Sequence, residues 1–131
     1  MSKWVLLLGG STGHGAATAK KLALEGYGII SFHFDRGDAK KIANETIAEI
    51  TKITNNRCHY FNTNATSEKA MDDYIPKIKE ITNGEPLKLL LHSIAFGTTT
   101  NFFGDTPVTQ RQMDMTVHVM GNSLLYWTQS L

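Results

Sequence analysis

The stretch Trp4-Val5-Leu6-Leu7-Leu8-Gly9-Gly10-Ser11-Thr12-Gly13-His14-Gly15 decides the fold. Its first part, Trp4–Leu8, is continuously apolar, which is typical of a strand buried on both faces of a parallel sheet. We predict that this strand is the first and central one. The glycine-rich residues 9–15 follow, and apolar residues at helical spacing begin at Ala16. The sequence therefore predicts a buried strand, a tight turn and a helix in direct succession.

Strand-like and helix-like segments alternate along the rest of the chain. Further strands are predicted at residues 28–34, 57–61 and 87–94. Helices are predicted at residues 16–26, 39–54, 67–82 and 109–131, with Pro76 expected to kink or split the third. Residues 97–107 follow neither period and are predicted to be a loop. This alternation predicts an α/β fold, a Rossmann-type doubly wound parallel sheet. Since a complete sheet has about six strands, we expect an incomplete one of about four strands with flanking helices.

Composition excludes several kinds of protein. Lysine and arginine number 13 against 12 acidic residues, and the net charge of +1 does not favour binding to nucleic acid. Cys58 is the single cysteine and has no partner for a disulfide, which favours a reducing compartment. The apolar start of the chain is too short for a secretory signal or a membrane span. The histidines are spread over separate elements, so no metal site is expected. We predict a cytoplasmic protein with no membrane and no nucleic-acid partner.

The glycine-rich turn has the chemistry of an anion site. Gly9 permits a sharp turn out of the strand, Gly13 allows backbone to approach a pyrophosphate, and Gly15 allows close packing of helix on strand. The helix amino terminus supplies N–H groups and partial positive charge, and the Ser11 and Thr12 hydroxyls are further donors. No lysine follows in the pattern of an ATP or GTP loop. The alternative interpretation is a glycine-rich turn without a ligand.

Three motifs in the same order resemble the short-chain dehydrogenase/reductase superfamily. The pattern Gly9-x-x-x-Gly13-x-Gly15 is similar to the family's glycine signature, although Leu8 stands where a threonine is usual. The triplet Asn64-Ala65-Thr66 resembles the family's Asp-Val-Thr, whose acidic side chain meets the adenine amino group. Residues 90–97, Leu-Leu-His-Ser-Ile-Ala-Phe-Gly, are similar to the matching segment of enoyl-acyl-carrier-protein reductases. The chain thus resembles the amino-terminal half of enoyl- or 3-oxoacyl-acyl-carrier-protein reductases.

The resemblance implies a binding site for a nicotinamide dinucleotide. The residues it assigns to the cofactor are Gly9, Ser11, Thr12, Gly13, His14, Gly15, His33, Arg36, Asn64, Ala65, Ser93, Ile94 and Ala95. Spacing from Gly15 makes Asp35 a ribose acceptor typical of NAD, whereas alignment from Gly26 places His33 at the discriminating position. His33 and Arg36 then favour NADP, with NAD possible. Alternatively, Asp35 and Arg36 are solvated loop charges that pair weakly.

The family's catalytic tyrosine and lysine have no counterpart in the chain. The tyrosines are Tyr27, Tyr60, Tyr74 and Tyr126, and none has a lysine four or seven positions later. The position that matches the family's active-site asparagine is Met120, with Asn122 two residues later. We therefore assign no catalytic residue and expect residues 1–131 to be an NAD(P)-binding domain truncated before the catalytic helix.

Two functions remain open at this point. In the first, the chain is the cofactor-binding half of a reductase that acts, when full length, on an enoyl or 3-oxoacyl thioester or another small carbonyl compound in fatty acid biosynthesis. In the second, it is a complete, non-catalytic nucleotide-binding or subunit-pairing module. The resemblance also implies a homo-oligomer formed through the last helix. Phe96, Phe102 and Phe103 are predicted to line an acyl pocket or to cover a sheet edge.

Overall fold

The computed structural model describes residues 3–131 of the chain. The strands are β1 (Trp4–Leu8), β2 (Gly28–His33), β3 (Cys58–Asn62) and β4 (Leu89–His92). The helices are α1 (Gly13–Leu24), α2 (Asp38–Ile53), α3 (Glu68–Ile81), α4 (Gln110–Val117) and α5 (Ser123–Ser130), and a π-helical turn spans His118–Asn122. The chain divides into two compact units: the first ends at Ser93, and the second is Ile94–Leu131.

The four strands form one parallel sheet in the order β3-β2-β1-β4. The predicted α/β fold with a Rossmann-type parallel sheet is confirmed, and β1 lies inside the sheet as expected. Leu7 of β1 is in register with Ser31 of β2, which is in register with Tyr60 of β3. Because side chains alternate along a strand, these three residues share one face of the sheet.

Helices cover both faces of the sheet in the first unit. On the face that carries Leu7, the strand residues Val5 and Ile29 form a buried cluster with Ala19 of α1 and Ile50 of α2. This packing explains why the apolar positions of α1 and α2 recur at helical spacing.

On the opposite face, the ring of Tyr74 from α3 packs against the rings of Phe32 and Phe61, with centroid distances of 5.2 and 4.8 Å. Phe32 and Phe61 are register partners in β2 and β3. The doubly wound arrangement is therefore established by helices from both sides.

Three helix expectations need correction, two of them in the first unit. The first helix begins at Gly13, three residues before the predicted start at Ala16, because Ala16 N donates to the Thr12 carbonyl at 3.1 Å and so closes a helical turn before Ala16. The third helix is not split at Pro76; it runs without interruption from Glu68 to Ile81. Proline removes one backbone donor, but Ser67 caps this helix by accepting from Ala70 N at 3.1 Å, and Ile78 is buried beyond the proline.

The second unit begins with an irregular segment and ends in helices. Thr109 caps α4 in a capping box with Gln112. The single helix predicted for residues 109–131 is interrupted by the π-helical turn, which inserts extra backbone between α4 and α5. The Ser123 hydroxyl donates to the Val119 carbonyl at 2.8 Å within this turn.

Candidate functional site

The glycine-rich turn leaves β1 at the carboxyl edge of the sheet. Gly9 continues the sheet hydrogen bonding by donating its N–H to the Phe32 carbonyl at 2.8 Å. Gly13 has a φ of 55°, in the left-handed region that favours glycine. A β-carbon at Gly15 would overlap the carbonyl oxygen of Gly9, so helix and turn are packed too closely for any side chain there. Gly9, with a φ of 94°, and Gly15 thus have the mechanical roles that the sequence predicts, and the approach of a pyrophosphate to Gly13 stays a prediction.

The start of α1 presents backbone donors outward. Thr12 is the N-cap residue and makes no side-chain cap hydrogen bond, and the first turn carries no acidic side chain. The first N–H groups of a helix have no intrahelical acceptor, so Gly13 and His14 offer donors at a terminus of partial positive charge. Thr12, Gly13 and His14 are exposed, whereas Ser11 and Gly15 are buried. This geometry suits a bound phosphate group.

A carboxylate lies beside the turn, at the end of β2. The Ser11 hydroxyl donates to Asp35 Oδ2 at 2.6 Å, and His33 Nδ1 lies 2.7 Å from the same oxygen. The His33 and Asp35 side chains are only 5% and 15% exposed. Asn62, at the end of β3, accepts from Asp35 N and donates to its carbonyl, both at 3.1 Å. Asp35 is therefore held at a fixed position against the turn.

The interpretation of Asp35 as a solvated loop charge is wrong, because its side chain is mostly buried and bonded to Ser11 and His33. Arg36 differs: it is exposed, and its guanidinium carbon lies 4.5 Å from the ring centroid of Phe34. Within residues 3–131, no carboxylate lies at ion-pair distance from Arg36. Arg36 is thus a cation with exposed donors three residues beyond the end of β2.

Ser31 and Tyr60 support the turn from below, and sequence reasoning missed both. Gly10 N donates to Ser31 Oγ at 3.1 Å, and the Tyr60 hydroxyl donates to the Gly10 carbonyl at 2.9 Å. A serine in the middle of the otherwise apolar strand β2 was the available signal. No local pattern marks Tyr60, since its contact with Gly10 spans 50 positions of the chain.

The triplet after β3 forms its own local turn. Asn64 Oδ1 accepts from Thr66 N at 3.0 Å and from Thr66 Oγ1 at 2.7 Å. Because a backbone N–H must face an acceptor, these bonds orient the amide and leave its NH2 group as the outward donor. Asn64 is exposed, and Ala65 is buried. An asparagine here offers a donor where the family's aspartate offers only acceptors.

The last group of assigned residues follows β4. Ser93 N donates to the Leu8 carbonyl at 2.8 Å, which places Ser93 beside the residue that precedes the turn. Ile94 and Ala95 come next in the chain and begin the second unit. Gly9, Ser11, His33 and Ser93 therefore gather at the carboxyl ends of neighbouring parallel strands. Ligands of open α/β sheets bind at this edge, where the strand order reverses.

The titratable groups near the sheet are shifted mainly by burial. Burial raises the pKa of the Tyr60 hydroxyl, which therefore stays a hydrogen-bond donor throughout the physiological range. Burial also lowers the pKa of His92, favouring the neutral imidazole.

In the second unit, Met120 and Asn122 both lie in the π-helical turn and are exposed.

Among residues 3–131, no three metal-ligating side chains lie close enough together to hold an ion. No helix in that range has both the length and the apolar character needed to cross a membrane.

Comparison with known proteins is consistent with this geometry. A short-chain dehydrogenase/reductase from Serratia marcescens BCRC 10948 is 22% identical with a TM-score of 0.75, over 98% of this chain and 49% of its own. An L-sorbose reductase from Gluconobacter frateurii, in complex with NADPH and L-sorbose, is 14% identical with a TM-score of 0.81, over 99% and 46%. A short chain dehydrogenase from Bacillus anthracis is 17% identical with a TM-score of 0.71, over 98% and 49%.

This chain spans about half the length of these proteins. At such identities the likeness shows the fold. No curated protein matches the chain. The model of the short chain dehydrogenase family, however, matches residues 3–131, nearly the whole sequence. The chain therefore belongs to the short chain dehydrogenase family.

Proposed function

We propose that the chain binds a nicotinamide dinucleotide at the carboxyl edge of its sheet and supplies the cofactor-binding half of an oxidoreductase. The observation that carries this proposal is the exposed start of α1, where Gly13 and His14 present N–H groups without intrahelical acceptors. The pyrophosphate would accept from these groups. Gly9, Ser11 and Thr12 would line the same turn, and Asn64, Ala65, Ser93, Ile94 and Ala95 would contact the adenine and nicotinamide portions.

The glycine at position 13 provides a sharp test, because Gly26, just beyond the end of the same helix, is a matched control. Gly13 begins α1 and Gly26 follows its C-cap; both have positive φ, and a β-carbon at either would meet open space. Replacement by alanine should therefore cost each about the same backbone strain, roughly 1–2 kcal/mol. Only Gly13→Ala places a methyl group where the pyrophosphate would lie.

Isothermal titration with NADP should show a Kd at least about tenfold higher for Gly13→Ala than for Gly26→Ala. Thermal denaturation of both variants would show whether the strain is matched. Equal nucleotide affinity in the two variants would show that the turn is not part of the binding site.

For the cofactor, the proposal is NADP, with the 2′-phosphate bound by Arg36. The support is that Arg36 is exposed and lacks a carboxylate partner within residues 3–131. His33 would act indirectly, by pairing with Asp35 and offsetting its negative charge when protonated. Arg36→Ala should raise the Kd for NADP about tenfold and leave the Kd for NAD unchanged. Lys52→Ala, an exposed cation in the last turn of α2, is the control.

One observation favours NAD instead. The Asp35 carboxylate is fixed next to Ser11, and a carboxylate at the end of the second strand accepts from ribose hydroxyls and repels a 2′-phosphate. If NAD binds the unmodified chain more tightly than NADP, Asp35 is the ribose acceptor. Asp35→Asn would then weaken the binding of NAD and strengthen the binding of NADP.

For the whole protein, we propose reduction of an enoyl or 3-oxoacyl thioester, in fatty acid biosynthesis, in the cytoplasm. The proposed substrate class rests on the resemblance of residues 90–97 to the matching segment of enoyl reductases. The proposed compartment rests on Cys58, which forms no disulfide. The proton donor and its lysine would be supplied outside residues 1–131, because no tyrosine here has a lysine four or seven positions later.

The 131-residue chain should therefore give no turnover with crotonyl or acetoacetyl thioesters and either nicotinamide cofactor. Positioned proton donors contribute about 10² to 10⁴-fold to such rates. Steady turnover by the purified chain would contradict this assignment, and Tyr126 would be the first residue to replace.

The alternative function, a subunit-pairing module without turnover, is favoured by a separate observation. Several apolar side chains on α4, the π-helical turn and α5 are exposed, including Val117, Met120, Leu124 and Leu125. An apolar stripe of this kind is typical of a protein interface. We propose that it pairs with a second copy of the chain, a role compatible with cofactor binding.

A further inference from the structure

Gly10 is held by side chains at both of its polar backbone atoms. Its N–H donates to Ser31 Oγ at 3.1 Å, and its carbonyl accepts from the Tyr60 hydroxyl at 2.9 Å. Both side chains come from strands that are distant in sequence. The position of this peptide unit is thus set by β2 and β3, rather than by the turn itself.

The support is built into the sheet. Leu7, Ser31 and Tyr60 lie in one register row across β1, β2 and β3, on the face beneath Gly10. Ser31 is completely buried, and its hydroxyl also donates to the Leu7 carbonyl at 2.9 Å. A β-carbon at Gly10 would overlap Ser31 Oγ, so the turn rests directly on this row.

A tyrosine at position 60 is destabilising unless its hydroxyl forms a hydrogen bond. The ring packs against the apolar cluster around Leu7, and its edge faces the His33 ring at 5.9 Å between centroids. Removing a hydroxyl from water costs free energy unless the hydroxyl is hydrogen-bonded. Since burial raises the pKa of Tyr60, the hydroxyl keeps its proton and donates it to the Gly10 carbonyl.

We propose that the Tyr60 hydroxyl is a positioning residue that holds the glycine turn in its phosphate-binding form. Ser11 follows Gly10 and is fixed to Asp35 at 2.6 Å, so only Thr12 separates this anchored segment from Gly13. Fixing Gly10 and Ser11 therefore fixes where α1 begins and where its first N–H groups point. A turn held in this form without ligand loses less entropy on binding.

This inference rests on the proposed binding of a dinucleotide. The test removes only the hydroxyl, with Tyr60→Phe, and compares two probes. NADP contains the pyrophosphate, whereas adenosine 2′-monophosphate lacks it. Loss of one neutral hydrogen bond that orders the turn should raise the Kd for NADP about fivefold and leave that of adenosine 2′-monophosphate unchanged.

Tyr74→Phe is the matched control. Tyr74 is another tyrosine whose ring packs against the sheet, and its hydroxyl has no hydrogen-bond partner within residues 3–131. Its replacement should change neither Kd. A general structural effect of Tyr60→Phe would weaken the binding of both probes equally. This result would overturn the positioning role.

An unchanged Kd for NADP in Tyr60→Phe would overturn it as well. If the unmodified chain binds neither probe, the proposed function itself fails, which is distinct from loss in the variant alone. Should Tyr60→Phe not fold, Ser31→Ala gives a second measurement, because it frees the Gly10 N–H from the same row. The same selective loss for NADP is expected; equal loss for both probes would contradict the proposal.

Discussion

At the residue scale, the turn depends on contacts that permit no substitution. A β-carbon at Gly15 would overlap the Gly9 carbonyl oxygen, and backbone cannot rotate away as a side chain can. Gly15→Ala should therefore lower the free energy of unfolding by about 1–3 kcal/mol, the usual range for overpacking. Gly121→Ala is the control, since its β-carbon would meet nothing within 4 Å. Urea denaturation of both variants measures the difference; equal stabilities would mean that α1 shifts to accommodate the methyl group.

Tyr60 also gives the chain a pH dependence whose sign follows from its shift. Burial raises the pKa of its hydroxyl in the folded chain above the unfolded value of about 10. The folded state therefore binds the proton more tightly, and the associated stability is complete below about pH 10 and is lost as the pH rises further. The free energy of unfolding of the unmodified chain should fall more steeply above pH 10 than that of Tyr60→Phe. Parallel curves would show that Tyr60 is not the group responsible.

At the scale of elements, the local sequence pattern predicted those strands and helices whose formation depends on a short stretch of chain. The apolar run was sufficient for β1 because this strand is buried on both faces, and the helical spacing was sufficient for α2 because this helix buries one face. The support of Gly10 was not predictable, because Ser31 and Tyr60 meet it only through the register of parallel strands. The burial of Asp35 was not predictable for the same reason: its partner Ser11 lies 24 positions away.

Pro76 is the element-scale exception, a helix breaker inside an unbroken helix. It is exposed on α3, so replacing it by alanine leaves no cavity and restores one backbone donor. A proline in a helix interior costs about 3 kcal/mol relative to alanine, partly offset because proline also stiffens the unfolded chain. Pro76→Ala should therefore raise the free energy of unfolding by about 1–2 kcal/mol, measured by urea denaturation. A loss of stability would indicate that α3 is shaped around the proline ring.

At the scale of the whole molecule, the exposed apolar stripe on the last helices bears on assembly. Met120, Leu124 and Leu125 are 47%, 42% and 55% exposed, and grouped apolar side chains on a surface are typical of an interaction site. Pairing with a second copy would bury them. Leu125→Glu should therefore raise the dissociation constant of the dimer at least about tenfold, because an unpaired charge would be buried in the interface. Sedimentation equilibrium measures this constant. Leu24→Glu, which alters an exposed leucine at the end of α1, should leave the equilibrium unchanged. A monomeric unmodified chain at high concentration would contradict self-pairing and leave the stripe for a different partner.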